Sequence, residues 1–149
     1  MSISVQESDF DVGAELAALR QGNPGIGAIA SFVGLVRDSN DGSSVATMTL
    51  EHYPGMTEKA LAKIIAEAQS RWEIIGVRVI HRVGRLEPGD QIVFVAVSSA
   101  HRGEAFAACE FIMDWLKTSA PFWKKEETPD GGRWVDARSA DDKAAARWK

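Results

Sequence analysis

The chain has 149 residues, 45% of them hydrophobic and 26% charged, with a formal net charge of -4. That length fits one domain able to bury its own core without a disulfide or metal staple, and the acidic balance argues against binding nucleic acid through phosphate contacts. A lone cysteine, Cys109, excludes an intrachain disulfide and points to a reduced, cytoplasmic setting; no signal-like N-terminus and no apolar run of roughly 18 residues argues for a membrane.

Asp11 to Arg20 predicts a short helix, with Asp11 as N-cap and Leu16 and Leu19 on one face; Gly22-Asn23-Pro24-Gly25 stops it. Gly27 to Val36 is apolar and β-branched enough for a strand, and residues 37–42 read as a polar loop. Val45 to Tyr53 alternates in period two and is expected to pair antiparallel with its predecessor. After the Pro54-Gly55 turn, Thr57 is a candidate cap for a helix with Ala60, Leu61, Ile64, Ile65, Ala68 and Trp72 on its apolar face. Val77 to Val83 and Gln91 to Ser98 predict two strands joined through the turn at 87–90. Ser98 and Ser99 are candidate caps for a helix to about Lys117, with Phe106, Cys109, Ile112, Met113 and Leu116 as its stripe. Pro121 ends that helix. A turn at 128–132, a short strand at Trp134-Val135 and a terminal helical turn from Asp141 to Lys149 complete the chain. Locally paired strands with interspersed helices give an α+β fold with a mostly antiparallel sheet, in one domain spanning 1–149.

Three places attract chemistry. Lys117 falls at a helix end and Lys124 and Lys125 follow shortly after. A lysine there ordinarily complements the helix dipole. The intervening segment Thr118 to Trp123 is too apolar for a solvated loop, however, and is expected to fold back and line a cleft. A crowded or desolvated lysine acts as acid, base or nucleophile near neutrality. Ser98 to Arg102 lies where a strand hands over to a helix. The N–H groups of a helix start favour an anion there, and His101 and Arg102 add donors; a capping histidine beside a surface arginine is the alternative. Arg37 follows an apolar strand containing Gly34, a sign of a bulge or close backbone approach; it faces either a ligand or solvent.

His52, His81 and His101 are far apart in sequence and lack ligand spacing, so no metal site is expected. No Gly-rich phosphate loop of the Walker or dinucleotide type is present. Cys109, on an apolar stripe, reads as a core thiol.

The strings LEHYPGMTEKAL (Leu50–Leu61), SSAHRGEAF (Ser98–Phe106) and IMDWLKTSAPFWKKE (Ile112–Glu126) resemble the large, catalytic subunit family of molybdopterin synthase, over a stretch from about Gly27 to Trp148. The resemblance implies an α/β hammerhead-like fold with an added antiparallel part. It implies a sulfurtransferase that builds the dithiolene of the molybdenum cofactor from a cyclic pyranopterin monophosphate, without a cofactor of its own. The implied sulfur donor is a small ubiquitin-like carrier subunit. Its C-terminal Gly-Gly thiocarboxylate reaches into the large subunit, and the implied assembly is a homodimer within a heterotetramer. By the same resemblance Lys117 and Lys124 are catalytic. Leu35, Val36, Arg37, His101, Arg102, Lys117, Lys124, Lys125, Glu126 and Arg138 contact substrate, and Phe32 and Met113 border the channel for the partner's tail. Two rival readings are a module that binds a phosphorylated metabolite without turnover and a pure interaction scaffold. The first predicts binding without product, and the second predicts no small-molecule binding.

Overall fold

The computed structural model of the chain describes residues 2–40, 43–44, 46–128, 131–135 and 139–148. Its elements, in order, are β1 (Ile3–Gln6), α1 (Val12–Arg20), β2 (Ala28–Leu35), β3 (Ser39–Asn40), β4 (Ser43–Ser44), β5 (Thr47–His52), α2 (Met56–Arg71), β6 (Gly76–Arg82), β7 (Gly84–Leu86), β8 (Gln91–Ser99), α3 (Arg102–Thr118), β9 (Phe122–Thr128), β10 (Gly131–Val135) and α4 (Ser139–Ala146).

Two four-stranded sheets carry the fold, ordered β1-β6-β8-β2 and β10-β9-β5-β7, beside a two-stranded β3–β4 ladder. The β1–β6 pair is parallel, and the other pairs among the described residues are antiparallel. The α+β reading is therefore borne out. The first sheet is covered on both faces, which is why β8 is buried from Ile92 to Ser99 instead of alternating. On one face Ala30, Val77, Val79, Val93, Val95 and Val97 join Ala105, Ala108 and Ile112 of α3 and Leu61, Ile64 and Ile65 of α2 in the main core. On the other, Ile80, Phe94 and Ala96 pack against Leu16 and Leu19 of α1 and against Phe10. Each fully buried large apolar side chain, such as Phe94, Leu61 or Ile112, contributes about 1.5–3 kcal/mol of transfer free energy.

Asp11 caps α1 as its sequence predicts, its Oδ1 accepting from Ala14 N at 3.0 Å. Several expectations need correction. β5 does not pair with β2; its partners are β7 and β9. The alternation of β5 was legible, but its partners lie far along the chain. The expected polar loop at 37–42 includes one strand of the β3–β4 ladder. Between β6 and β8 a third strand, β7, leaves for the second sheet, with Gly84 at φ 87° where the chain changes direction. Thr57 lies inside α2 and does not cap it; Glu58 Oε2 accepts from the N-cap Gly55 N–H at 3.3 Å. Ser98 and Ser99 belong to β8 and the N-cap of α3 is His101, whose N–H donates to Ser99 Oγ at 3.4 Å. Phe106 is 64% exposed and so does not belong to the buried stripe.

Three crossings from the first sheet to the second set up the site: β2 through to β5, β6 directly into β7, and α3 into β9. The β6 and α3 crossings start from the end of the first sheet where His81 pairs with Val93, and Leu35 of β2 pairs with Gln91 at that same end. No helix among the described residues is long and apolar enough to cross a membrane.

Candidate active site

Lys117 occupies the last turn of α3 and is exposed. Thr118 closes the helix, its Oγ1 donating to Asp114 O at 2.8 Å, while Ser119 and Ala120 both return their N–H groups to Trp115 O at 2.8 and 3.3 Å. The chain then reverses through a tight turn at Pro121, with Phe122 N donating to Ala120 O at 2.8 Å. It enters β9, where Leu50↔Lys124 and Met48↔Glu126 are direct cross-strand pairs. Phe122, Lys124 and Glu126 thus share one sheet face with Met48, Leu50 and His52. The expected cleft-lining segment 118–123 is thereby resolved into a turn and a strand start: Phe122 turns inward, and Trp123 is 37% exposed on the other face.

Phe122 organises the site. Its ring stacks on His81 with centroids 3.9 Å apart and planes 17° from parallel, and it lies 6.4 Å from His52. His81 is buried at the end of β6, on the same face as Val77 and Val79. Its Nδ1 lies 2.8 Å from Arg82 O; a carbonyl only accepts, so Nδ1 carries the proton. Burial first, then the positive charges of Lys124 and Lys117 and the neighbouring His52, hold its pKa down to about 3, against the pull of that hydrogen bond. Lys117 and Lys124, seven residues apart in sequence, are therefore both near enough for their charges to act on one buried neutral imidazole.

The remaining expected site residues divide into groups. Arg37 is exposed and lies just beyond the β2 end that pairs with Gln91, the end of the first sheet that also holds His81. The register of β2 shifts at Gly34/Leu35, and a side chain at Gly34 would meet Val93 Cγ1 at 2.7 Å and Phe32 Cε1 at 3.2 Å. The absent side chain lets Phe32 lean across the strand. Leu35 is 53% exposed beyond the shift, whereas Val36 is buried and both its backbone groups are engaged, N–H to Asp90 O and C=O from Gly89 N. Phe32, 40% exposed, lies on the face of β2 that α3 covers, and Met113 is a buried residue of α3. Glu126 is buried beside the lysines in the strand, while Lys125 points to the opposite face of the second sheet.

His101 and Arg102 are exposed at the other end of α3. Arg102 and Lys117 are 15 positions apart (117 − 102), roughly 22 Å along the helix axis. One chain does not bring them into one pocket. Arg138 lies outside the described residues.

His81, His52, Phe122 and Thr57 were not singled out as site residues by sequence reasoning. The histidines had been weighed only as metal ligands, by spacing. The available signal was a polar residue at a core-facing position of an apolar alternation, Val77-x-Val79-x-His81. Among the described residues there is no group of three or more His, Cys, Asp or Glu arranged to hold a metal ion. Cys109 is buried, with its Sγ 3.8 Å from Val95 O, and burial, together with Glu110, pushes its thiol up to about 12.

Residues 5–119 match the family model described as MoaE protein. The molybdopterin synthase catalytic subunit of Ralstonia nicotianae is 69% identical over 147 residues, 99% of this chain and 84% of that protein. The solved structure of the molybdopterin biosynthesis MoaE protein from Burkholderia ambifaria superposes with a TM-score of 0.84 at 67% identity, covering 99% of this chain and 97% of that one. A more distant fold likeness, at 18% identity and a TM-score of 0.76, is to a Helicobacter pylori chain solved as a protein–protein complex of subunits 1 and 2 of molybdopterin-converting factor, with 93% of each chain covered. The agreement extends past the crossing into the second sheet, where Lys124 sits, and the chain belongs to the MoaE family of molybdopterin synthase catalytic subunits.

Proposed function

We propose that the chain converts a cyclic pyranopterin monophosphate to molybdopterin, in a pocket centred on Lys117 and Lys124. Two sulfurs arrive one at a time from the Gly-Gly thiocarboxylate of a small ubiquitin-like carrier subunit, in the cytoplasm. The observation that carries this reading is the placement of Lys117 and Lys124 on either side of one short turn whose Phe122 stacks on buried His81, an imidazole on which both charges act. A substrate phosphate and a thiocarboxylate are both anions, so holding them together requires cations that outweigh their repulsion. Fixed cations also stabilise the charge that develops as sulfur attacks. Arg37, at the same end of the first sheet, is assigned to the phosphate. The inert Cys109 agrees with sulfur arriving from outside the chain, and the two-subunit Helicobacter pylori complex supports a separate protein as its source.

His101 and Arg102 enter the same scheme through a second copy. With roughly 22 Å of helix between them and Lys117, they serve the pocket of the other protomer of a homodimer, and Arg138 is assigned to the same basic pocket. The test is complementation. Lys117→Ala and Arg102→Ala homodimers, each nearly inactive, are mixed and allowed to exchange subunits in the presence of the thiocarboxylated partner and the pyranopterin. A mixed dimer regains one intact site, so up to about a quarter of wild-type dithiolene formation returns if half the dimers are mixed. No recovery despite proven exchange refutes the shared site, and a Lys117→Ala homodimer with normal turnover refutes the pocket itself.

A further inference from the structure

Two segments far apart in sequence, His52-Tyr53-Pro54-Gly55-Met56-Thr57 and Ser119-Ala120-Pro121-Phe122-Trp123, are tied together in space. Thr57 is fully buried in the first turn of α2, and its hydroxyl works in both directions: Oγ1 accepts from Tyr53 N at 3.2 Å and donates to Pro121 O at 3.2 Å, 64 residues away. Thr57 N also donates to Tyr53 O at 2.9 Å, so the 53–57 turn is closed from both sides before it reaches Pro121. The Tyr53 ring meets Trp123 edge-on at 4.4 Å. One residue further on, His81 stacks on Phe122 and is itself fixed by its hydrogen bond to Arg82 O. These contacts fall within the six residues, 118–123, that link Lys117 on α3 to Lys124 on β9.

We propose that Thr57 and His81 are positioning residues that hold the 119–122 segment at two points, Pro121 and Phe122, and thereby set the separation of Lys117 and Lys124. This rests on the assignment of the two lysines as the catalytic pair. Neither residue needs to touch substrate. Each supplies something a simple space-filler does not: Thr57 a buried hydroxyl that satisfies two backbone groups, and His81 a flat uncharged ring held at a fixed tilt. Misplacing a reacting group by about 1 Å costs on the order of a hundredfold in rate, so a clamp of this kind reads out in kcat and not in substrate affinity.

The experiment uses the full chain with its thiocarboxylated partner and the cyclic pyranopterin monophosphate. Thr57→Val keeps the shape and removes both hydrogen bonds; Thr57→Ser keeps the hydroxyl. His81→Ala removes the ring; His81→Phe keeps the stack. Thr57→Val and His81→Ala are expected to lower kcat by about tenfold to a hundredfold with KM within about threefold of wild type. Thr57→Ser and His81→Phe recover most of that loss. Amide hydrogen exchange in peptides covering 118–123 rises in the two slow variants and not in the two rescued ones. The proposal is overturned if folded Thr57→Val and His81→Ala turn over normally, if the loss falls on KM, or if the conservative variants are as slow as the drastic ones. Should Thr57→Val not fold, the His81 pair decides alone. Lys117→Ala is the control that separates the two levels: if it retains activity, the lysine assignment fails, whereas an inactive Lys117→Ala beside normal Thr57→Val and His81→Ala removes only the clamp.

Discussion

Replacing Cys109 tests whether this chain ever carries sulfur on its own thiol. With the thiol pushed up to about 12, roughly three molecules in 100,000 hold a thiolate at pH 7.5, since each pH unit below the pKa is a factor of ten. An ordinary thiol near 8.5 is about a tenth ionised at that pH, so the reactive form is about three thousandfold scarcer here. Burial adds a second barrier, because Sγ sits under α3 against Val95 O and away from solvent. Native protein should therefore resist a soluble disulfide or alkylating reagent over hours and react at once when unfolded. Cys109→Ala should form dithiolene at the wild-type rate when charged partner is supplied. Its cost is stability: losing one buried sulfur atom is comparable with other single-group core truncations, about 1 kcal/mol, or some 2–4 °C in Tm for a chain of this size. Rapid labelling of the folded protein, or a folded Cys109→Ala that makes no product, would refute the reasoning and place a covalent sulfur intermediate on the chain.

Arg37→Ala should weaken binding of the pyranopterin monophosphate by roughly ten- to a hundredfold, as expected for a lost charge-assisted hydrogen bond of about 1.5–3 kcal/mol; calorimetric titration giving an unchanged Kd removes Arg37 from the phosphate site. His81 has a folded pKa near 3 against an ordinary 6.5, so the unfolded state binds the extra proton and stability falls as pH drops from about 6.5 toward 3. At pH 5 the loss is about 2 kcal/mol, and urea melts of His81→Phe should lack this share of the acid slope; an identical slope in the variant contradicts a buried neutral imidazole. Trp148 packs edge-on against Trp72 at 5.5 Å and Phe111 at 5.7 Å, and its indole N–H donates to Asp114. Trp148→Ala should cost roughly 2 kcal/mol, less than a fully buried ring because Trp148 is only half-buried; a Tm unchanged within 1–2 °C would show that the C-terminal turn does not hold α4 onto α3.

The helices were the most legible part of this fold because their signals are local. Asp11 and the spacing of Leu16 and Leu19 specify α1, and Leu61, Ile64, Ile65 and Ala68 specify the buried face of α2. Strand existence was also readable, but strand partnership was not. β5 alternates visibly, yet nothing in residues 47–52 says that it will lie between Arg85 of β7 and Lys125 of β9 at Thr49. The site split along the same line. Lys117 and Lys124 are close in sequence and their apolar linker marked them. His81 comes from a strand 36 positions before Lys117 (117 − 81) and entered only through the stacking on Phe122. Thr57 was legible as a helix-start residue, but its reach to Pro121 depends on tertiary packing that no local pattern encodes.

The β5–β9 pairing has a consequence for synthesis on the ribosome. Thr47 is opposite Glu127, 80 residues later (127 − 47), so at about 5–20 residues per second β5 emerges roughly 4–16 s before the strand that will flank it. β7 reaches it sooner and covers one edge through Met48 to Leu50. The other edge stays open, and a two-stranded ribbon is marginal on its own. The nascent chain thus carries an unpaired apolar strand edge until the segment from Phe122 to Thr128 clears the exit tunnel. Slowing translation between residues 60 and 120 should lengthen that exposure and lower the soluble yield, with the completed protein unchanged.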